Sequence, residues 1–439
     1  MPFASRLASR LALLALALSS SAIVSTVHAA QIGTIPPAQP LTAERVAALP
    51  AGERAAWAAY LARSDAQRAA DRAALAAERK GMATWPVPPE GGHAEGSMPL
   101  TKPAHWYASD AALLVARNIL SYQTPAGGWG KNQPRARAPR QPGQDYVADN
   151  NNKRATPGDF DRAQDAKWSY VGTIDNDATI TEIRFLALAA AQHPGAAGDV
   201  YRQAAQRGVA YLLAAQFPNG GWPQVWPLQG GYHDAVTMND NAQVEVTELM
   251  GAIARGEAGF GALPAAQRSA AAAAEAKSVQ LLLATQIRVN GKLTLWAQQH
   301  DALTLAPASA RNYEPPALSS GESAKALEFL MSLPDPSPAV VQAVRAGVAT
   351  LRAVAVSDRA FVKTEDGRKL VVQPGAGPLW ARYYDPATLK PVFGDRDKSL
   401  HDDVNGISAE RRNGYAWWGT WPVKTLAAYD AWATRWVKP

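Results

Sequence analysis

The chain has 439 residues, of which 47% are hydrophobic and 19% are charged, a composition typical of a globular protein with an extensive core. It contains no cysteine, which excludes disulfide bonds, thiol catalysis and thiolate metal sites. The net charge of +6 is modest, and no run of Lys and Arg indicates nucleic acid binding. An acidic substrate is compatible with this charge.

The first thirty residues predict a secretory signal peptide. Arg6 and Arg10 precede an apolar stretch at 11–18, and small residues at 27–29 provide a cleavage site. The apolar stretch is too short for a membrane anchor. We therefore expect residues 1–29 to be removed. The mature protein should be exported, either periplasmic or secreted, and monomeric, without membrane association.

The region after the signal peptide predicts a helical arm followed by a linker. Residues 41–80 are rich in Ala, Arg and Glu, with apolar residues at helical spacing, and we interpret them as a helical hairpin. Residues 81–103 are rich in Pro and Gly, which is typical of a loop or a domain boundary. The arm and linker thus occupy residues 30–103, and the main domain occupies 104–439.

From residue 104 onward the hydrophobic pattern is predominantly helical. The predicted helices are 108–122, 178–193, 199–216, 240–255, 265–286, 321–332, 337–355 and 423–434. Convincing strands are few, and the segment 361–372, with Asp366-Gly367 at its centre, is the best β-hairpin.

Three of the predicted helices are followed by a similar sequence motif, which is a Gly-bearing turn and then a Trp. The copies are 121–129, 215–222 and 285–296. Repeated helix pairs predict a mainly α fold, an (α/α) toroid or incomplete barrel with long loops and a small β-hairpin. The turns would then share one end of the ring, where the Trp side chains could line a cleft. The alternative is that Gly stops each helix and Trp packs in the core.

Two acidic clusters occur where predicted helices begin. One is 173–179, which contains Asp175, and the other is 238–241, which contains Asp240. Such residues often cap helix N-termini. If both clusters lie at the same end of the ring, their carboxylates could instead form an oxygen-rich cation site. A carboxylate pair could also perform the acid and base steps of a glycosidase.

Several Arg residues lie in loops rich in Pro, Gly and aromatic residues. They include Arg311, Arg382, Arg396 and Arg411. Each could be an ordinary solvated charge, but loops on a rigid scaffold often carry function. A cleft lined by Arg and aromatic side chains suits an anionic polysaccharide, because guanidinium groups pair with carboxylates.

Six segments of the chain together resemble the family 10 polysaccharide lyases, which are pectate lyases with an α-helical toroid fold. The segments are 173–179, 219–224, 231–241, 291–301, 380–385 and 410–417. The similarity covers about residues 105–436, with the segments in the order found in that family. One departure is Asp177, which stands where the family's segment usually has Gly.

The resemblance implies cleavage of polygalacturonate by Ca²⁺-assisted β-elimination, which yields unsaturated oligogalacturonates. It also implies that Arg311 occupies the position of the catalytic base, that Asp175 and Asp240 bind Ca²⁺, and that Arg382 and Arg396 bind substrate. We expect four further residues of these loops to bind the acidic polysaccharide, namely Lys131, His233, Trp222 and Tyr313.

Alternatives remain for the base and for the function. Guanidinium rarely loses its proton in proteins, so Lys131 and Lys292 are alternative bases. A glycoside hydrolase or a non-catalytic polysaccharide-binding protein could use the same helical ring. A terpenoid cyclase shares the Gly-x-Trp repeats, but an Arg-rich cleft does not suit an apolar isoprenoid.

Overall fold

The computed structural model describes residues 30–89, 97–147, 155–163 and 165–437. The predicted signal peptide and part of the predicted linker lie outside these ranges. Among the described residues, none of the helices has the length and apolar character needed to cross a membrane.

The described ranges contain eleven α-helices, which are labelled α1 to α11 in chain order. Their bounds are α1 Ala43–Ala47, α2 Ala51–Glu78, α3 Asp110–Tyr122, α4 Ile180–Gln192, α5 Ala196–Ala215, α6 Ala242–Arg255, α7 Ala265–Thr285, α8 Ser320–Ser332, α9 Pro338–Ala353, α10 Ala409–Gly414 and α11 Pro422–Trp436. The predicted helices of the main domain correspond to these within a few residues at most ends. The prediction of a helical hairpin at 41–80 was wrong, because α2 is one continuous helix of 28 residues.

The strands are short and lie in the loops between helices. Their bounds are β1 Gln31–Thr34, β2 Val236–Thr237, β3 Arg288–Val289, β4 Lys292–Leu293, β5 Gln299–His300, β6 Pro307–Ala308, β7 Leu318–Ser319, β8 Arg359–Thr364, β9 Gly367–Val372, β10 Trp380–Ala381, β11 Tyr383–Tyr384, β12 Pro391–Gly394, β13 Ser399–His401 and β14 Trp418–Gly419. An antiparallel sheet has the order β1-β13-β12-β11-β7, and a smaller one has the order β2-β5-β6. The hairpin predicted at 361–372 is confirmed as β8 and β9.

The Trp that follows each Gly-bearing turn joins two helices. All three Trp side chains are completely buried, with 0% exposure. Each indole N–H donates to a carbonyl of the preceding helix, from Trp129 to Ile119, from Trp222 to Leu212 and from Trp296 to Leu282, at 2.8, 2.8 and 2.7 Å. Each Trp backbone N–H donates to a side chain near the start of the following helix, which is Thr179, Gln243 or Ser323. The expectation that these Trp side chains line a cleft was therefore wrong.

A Gln directly after α3, α5 and α7 connects each of these helices to the second helix after it in the chain. Gln123, Gln216 and Gln286 follow α3, α5 and α7. Each side-chain amide donates to a carbonyl in the turn that follows its own helix. It also donates to a carbonyl of a second helix, which is Ala204 in α5, Ala274 in α7 or Ala343 in α9. Since buried polar groups require partners, this repeated bond fixes the spacing of α3, α5, α7 and α9.

The helices thus form two layers, as the sequence predicted. Helices α3, α5, α7 and α9 follow one another in the first layer, and α4, α6, α8 and α11 follow one another in the second. Helices α6 and α8 are largely buried, which places the second layer inside. The mainly α toroid is confirmed, and the loops between the layers are long enough to build a site at one end of it.

The N-terminal arm packs directly against this toroid. The Trp57 ring lies 5.4 Å from that of Phe217, and the Tyr60 hydroxyl donates to the Ala215 carbonyl at 2.9 Å. Strand β1 extends the five-stranded sheet by pairing with β13. The arm and the main domain consequently share one hydrophobic core.

Candidate active site

The two acidic clusters form equivalent left-handed turns immediately before two inner helices. Residues Asp175–Asp177 precede α4, and residues Asn239–Asn241 precede α6. The middle residues, Asn176 and Asp240, have φ angles of 52° and 50°. Asn and Asp tolerate this region better than other non-glycine residues, which explains why both turns are built from them.

The two expected metal ligands do not occupy the same position in these turns. Asp175 lies four residues before Thr179, and Asn239 lies four residues before Gln243. Thr179 and Gln243 accept the equivalent Trp backbone N–H groups, so Asp175 corresponds to Asn239. Asp240 therefore corresponds to Asn176, one position further along.

Asp177 also adopts the left-handed conformation, with a φ of 60°. This geometry gives a physical reason for Gly at that position in the segment it resembles. Burial, followed by a hydrogen bond with Asp177, raises the pKa of Glu245 to about 8. Two carboxyl groups in hydrogen-bond contact disfavour full ionisation of both, which limits the negative charge beside the site.

Neither Asp175 nor Asp240 caps a helix. Helices α4 and α6 have no side-chain hydrogen bond at their N-caps. The Asp175 carboxylate instead accepts from Lys131 Nζ and from Gln224 Nε2, both at 2.8 Å. Asp240 Oδ2 accepts from Asn239 Nδ2 at 2.9 Å. The capping interpretation was therefore wrong for both carboxylates.

A cavity of about 160 Å³ brings four of the predicted site residues together. Its lining contains Lys131, Tyr170, Asp175, Asn176, Gln224, Tyr232, Asn239, Asp240, Gln299, Ala310, Arg311 and Glu314. The lining combines carboxylates and carboxamides with two basic groups, Lys131 and Arg311, each of which is paired with a lining carboxylate. This arrangement provides oxygen ligands for a cation and positive charge for an anionic substrate in one space.

Arg311 is held by Glu314, to which the sequence analysis assigned no role. The guanidinium donates from Nε and Nη2 to the two carboxylate oxygens at 2.9 and 2.6 Å. Burial lowers the pKa of Arg311, but the Glu314 charge and its hydrogen bonds more than offset this and raise the pKa well above its usual value. The same pairing overcomes the effect of burial on Glu314 and lowers its pKa to about 2. Arg311 is consequently a guanidinium in this state.

Glu314 belongs to a hydrogen-bonded chain that reaches the far side of the site. The Tyr415 hydroxyl donates to Glu314 Oε1 at 2.8 Å and lies 2.7 Å from the Tyr383 hydroxyl. Tyr383 in turn donates to Gln298. Glu314 is 2% exposed, so its position is fixed by these contacts. The chain therefore fixes the orientation of the Arg311 guanidinium.

Lys131 also lines the cavity and is fixed in a similar way. Its ammonium lies 3.6 Å from the centre of the Tyr170 ring and bonds Asp175. Burial acts to lower the pKa of Lys131, but Asp175 and Tyr170 overcome it and raise the pKa above its usual value. Lys131 is thus a cation in this state. Lys292, the other alternative base, lies exposed on β4 against α9 and does not line the cavity.

Asp240 carries a negative charge that its surroundings only partly compensate. Desolvation, and then the charges of Asp175 and Glu322, raise its pKa to about 6. Arg382 and Arg311 act in the opposite direction. The site thus accumulates negative charge around Asp240, which would favour binding of a cation.

The two Arg residues expected to bind substrate lie outside the lining of this cavity. Arg382 Nη2 pairs with Glu322 at 2.7 Å, and its guanidinium lies 4.9 Å from the Tyr415 ring centre. Among the residues that the structure describes, the buried Arg382 Nε finds no hydrogen-bond partner. Arg396 is more exposed, at 37% of its side chain, and pairs with Glu410 at 3.0 Å.

Tyr313 is a platform for guanidinium groups. Its ring centre lies 5.0 Å from Arg311, 5.5 Å from Arg396 and 4.3 Å from Arg411. Since only 3% of Tyr313 is exposed, the structure does not support the expected direct contact with substrate. Tyr313 instead positions the Arg residues by cation–π contacts.

His233 and Trp222 are also buried, away from the cavity surface. The His233 ring stacks on Tyr232 at 4.1 Å, and burial lowers its pKa to about 4, so it is neutral. Trp222 lies in the core between α5 and α6. Neither side chain lines the cavity, and His233 supports two residues that do, Tyr170 and Tyr232.

We expect Trp222→Phe to destabilise the protein by about 1–3 kcal/mol, because the Leu212 carbonyl would lose its buried donor. The Michaelis constant for substrate should stay within twofold of the wild-type value. Urea unfolding and steady-state kinetics measure the two effects separately. A large rise in the Michaelis constant with unchanged stability would restore Trp222 as a substrate-binding residue.

The described residues contain no preformed cluster of three or more His, Cys, Asp or Glu side chains around a common point. Besides Glu314, which is paired with Arg311, the cavity offers two carboxylates, Asp175 and Asp240, and its lining also contains the carboxamides of Asn176, Asn239 and Gln299. Oxygen donors of this kind suit Ca²⁺ rather than Zn²⁺ or copper. A cation bound here would compete with Lys131 for Asp175 and would take further ligands from substrate or water.

Comparison with known proteins identifies the family. The family model for pectic acid lyase matches residues 123–426. Two solved structures of a family 10 polysaccharide lyase from Cellvibrio cellulosa, one of them a mutant in complex with trigalacturonic acid, are each 31% identical with a TM-score of 0.62. They cover 75% of this chain, and the chain covers 97% and 96% of theirs. No curated protein matches.

The family model spans most of the main domain and includes every residue of the cavity. The similar structures are matched over almost their whole length, so the likeness concerns the complete catalytic unit and not a shared helical motif. The interpretations as a glycoside hydrolase, a non-catalytic binding protein or a terpenoid cyclase are therefore set aside. The chain belongs to the family 10 polysaccharide lyases, the pectic acid lyases, and is a polysaccharide lyase.

Proposed function

We propose that this lyase is a pectate lyase that cleaves α-1,4-polygalacturonate with the aid of Ca²⁺. The observation that carries the proposal is the cavity that Lys131 and Arg311 line together with Asp175 and Asp240. The complex of the similar Cellvibrio cellulosa lyase with trigalacturonic acid supports galacturonate as the sugar. The Arg side chains around the cavity are suited to its carboxylates.

The reaction requires that a proton on C5 of a uronide be removed and that the C4–O bond break. The C5 proton is weakly acidic because the adjacent carboxylate is charged. A bound Ca²⁺ supplies positive charge that neutralises this carboxylate and stabilises the charge that develops during the reaction. Arg311 lines the same cavity, where Glu314 fixes the orientation of its guanidinium.

Asp175 and Asp240 are the residues we assign to the cation. Their oxygens fit a hard cation, and the raised pKa of Asp240 marks a site where added positive charge is favourable. The ammonium of Lys131 forms an ion pair with Asp175. It must share or release that carboxylate when a cation binds. Gln224 also donates to Asp175 and fixes its orientation.

Two basic side chains, Lys131 and Arg311, line the cavity among the described residues and are candidates for the proton acceptor. We assign this role to Arg311, with Lys131 as the alternative. Lys and Arg are protonated at neutral pH at their ordinary pKa values, and a carboxylate partner raises the pKa of each further. Loss of the proton therefore depends on how strongly Glu314 or Asp175 holds each cation, which makes these carboxylates part of the catalytic machinery.

Arg382 and Arg396 are assigned to substrate carboxylates. The Arg382 side chain lies over the Tyr415 ring, and Arg396 forms a partly exposed ion pair with Glu410. A guanidinium can hold a carboxylate through two parallel hydrogen bonds, and an exposed ion pair is easily replaced.

Activity on polygalacturonate should require Ca²⁺ and should fall as the polymer is methyl-esterified, because each ester removes a carboxylate that the cation and the Arg residues recognise. Unsaturated products are followed by ultraviolet absorbance, with and without chelator, on polymers of increasing esterification. The control is readdition of Ca²⁺ after chelation. Equal rates on esterified and unesterified polymer in the presence of chelator would contradict the proposal.

A further inference from the structure

A second and larger cavity, of about 330 Å³, lies between helix α2 of the N-terminal arm and the loops of the toroid. Helix α2 contributes Arg68, Asp71 and Arg72, and the loops contribute Asp165, Trp168, Val171, Pro227, Leu228 and Gln229. Its volume is at the lower end of the roughly 300–1,000 Å³ typical of small-molecule sites. The arm residues precede position 123, where the family match begins, so this cavity is partly built from a segment outside that match.

We propose that this cavity is a second binding site for an acidic saccharide, formed jointly by the arm and the toroid. The inference rests on the proposed function for the class of ligand, an oligogalacturonate. It assigns the arm a role in holding substrate away from the reacting bond. The three observations that support it are the exposed guanidinium pair, the polar and aromatic wall, and the position next to the catalytic cavity.

The guanidinium pair can bind carboxylate groups. Arg68 and Arg72 are four residues apart on α2 and thus lie on the same face of the helix. Their side chains are 46% and 49% exposed, and each pairs with a partly exposed partner, Asp65 or Asp165. Because exposed ion pairs contribute little, a ligand carboxylate can replace either partner with small loss.

The wall beside these Arg residues has the groups that sugars use. Trp168 presents a partly exposed indole, over which Arg72 lies at 5.6 Å. Asp71, which is 1% exposed and accepts from Gln67 Nε2 at 2.8 Å, lies behind this wall and is not assigned to the ligand. The aromatic face of Trp168 and the Gln229 amide complement the C–H face and the hydroxyl groups of a sugar ring.

The second cavity adjoins the catalytic one. Tyr170 lines the catalytic cavity, and the next residue, Val171, lines the second cavity. The Tyr170 backbone N–H donates to Gln229 Oε1 at 2.9 Å, so one hydrogen bond links the walls of the two cavities. A polymer that reaches both sites would bind more tightly than one held at either site alone.

Binding of trigalacturonate to the mature protein in chelator tests the inference, because removing Ca²⁺ weakens binding at the catalytic cavity and prevents turnover. Calorimetric titration compares wild type with Arg72→Ala, Arg72→Glu and Arg54→Ala. Arg54 is an exposed residue of the same helix that does not line the cavity, so it is the matched control. Arg72→Ala should weaken binding roughly three- to fivefold, Arg72→Glu should weaken it further, and Arg54→Ala should leave it unchanged.

Two results would overturn the inference. One is equal affinity of wild type and Arg72→Glu for trigalacturonate. The other is displacement of trigalacturonate by an equal concentration of inorganic phosphate, which would mark a general anion site without selection for sugar. Neither result depends on catalysis, whereas absence of unsaturated product from wild type would overturn the proposed function.

Discussion

Replacing Arg311 with Ala should lower the maximal rate by roughly 10²–10⁴-fold, the range typical of a positioned proton-transfer group. The apparent affinity for polygalacturonate should change little, because Arg382 and Arg396 hold the substrate carboxylates in our assignment. Arg311→Lys should restore only part of the rate, since an ammonium cannot form the two-pronged contact that Arg311 makes with Glu314. Steady-state kinetics measure both constants. A rate within a fewfold of wild type would place the base elsewhere, with Lys131 as the next residue to replace.

Glu314→Gln distinguishes a proton acceptor from a fixed positive charge at Arg311. The Glu314 carboxylate raises the pKa of Arg311, so removing its charge while keeping its shape should lower that pKa. If neutral Arg311 accepts the C5 proton, the maximal rate should rise with pH as Arg311 loses its proton. We expect this rise to occur at lower pH in Glu314→Gln than in wild type. A lower rate with an unmoved pH profile would mean that Arg311 acts only through its charge.

The second large effect is expected at Asp240. Asp240→Asn keeps the shape of the side chain but removes a carboxylate assigned to Ca²⁺, so activity should fall by about a hundredfold or more. The pKa of Asp240 is raised to about 6 in the folded protein, so its ionisation opposes folding as pH rises through that value. At pH 8 the variant should therefore melt at the same temperature as wild type or higher.

A matched control for this charge change is Asp430→Asn, because Asp430 is 73% exposed on α11 and pairs only with an exposed Arg352. It should leave both the rate and the melting temperature unchanged. Thermal melts recorded beside rates separate the two properties. Normal turnover in Asp240→Asn, with or without a shift in melting temperature, would refute the assignment of Asp240 to the cation.

Much of the helical scaffold could be predicted from the sequence because its signals are local. Apolar periodicity marks each helix, and the Gly-bearing turn before each Trp marks the repeat. Which way those Trp side chains point is not a local property. Trp222 is buried because its indole N–H reaches a carbonyl ten residues earlier, and its backbone N–H reaches Gln243 on the next helix.

The arm and the short strands were harder to predict for different reasons. Alanine-rich sequence has high helix propensity throughout, so the pattern at 41–80 indicates helix but does not show where a helix begins or ends. The uninterrupted course of α2 from Ala51 to Glu78 was therefore not visible in the sequence. Most strands have two to four residues, which is too short for an alternating pattern to stand out. Their positions are set by pairing with distant segments, as with β1 and β13.

Within the site, the acidic turns were visible in the sequence, but their register was not. Asp-Asn-Asp and Asn-Asp-Asn read almost alike, and only the equivalent bonds to Thr179 and Gln243 show that Asp175 matches Asn239. The Glu314 and Tyr415 contact joins residues 101 positions apart, so no local signal could have indicated it. The spacing of Arg311 and Glu314 in one turn was the only available clue.

The central claim is that the cavity around Asp175 and Asp240 binds Ca²⁺ together with a galacturonate ligand. Calorimetric titration of Ca²⁺ into wild type and Asp240→Asn, each with and without trigalacturonate, measures this directly. The account predicts that wild type binds Ca²⁺ more tightly when trigalacturonate is present, and that Asp240→Asn loses this coupling. Equal Ca²⁺ affinity in wild type and variant, unaffected by trigalacturonate, would contradict it.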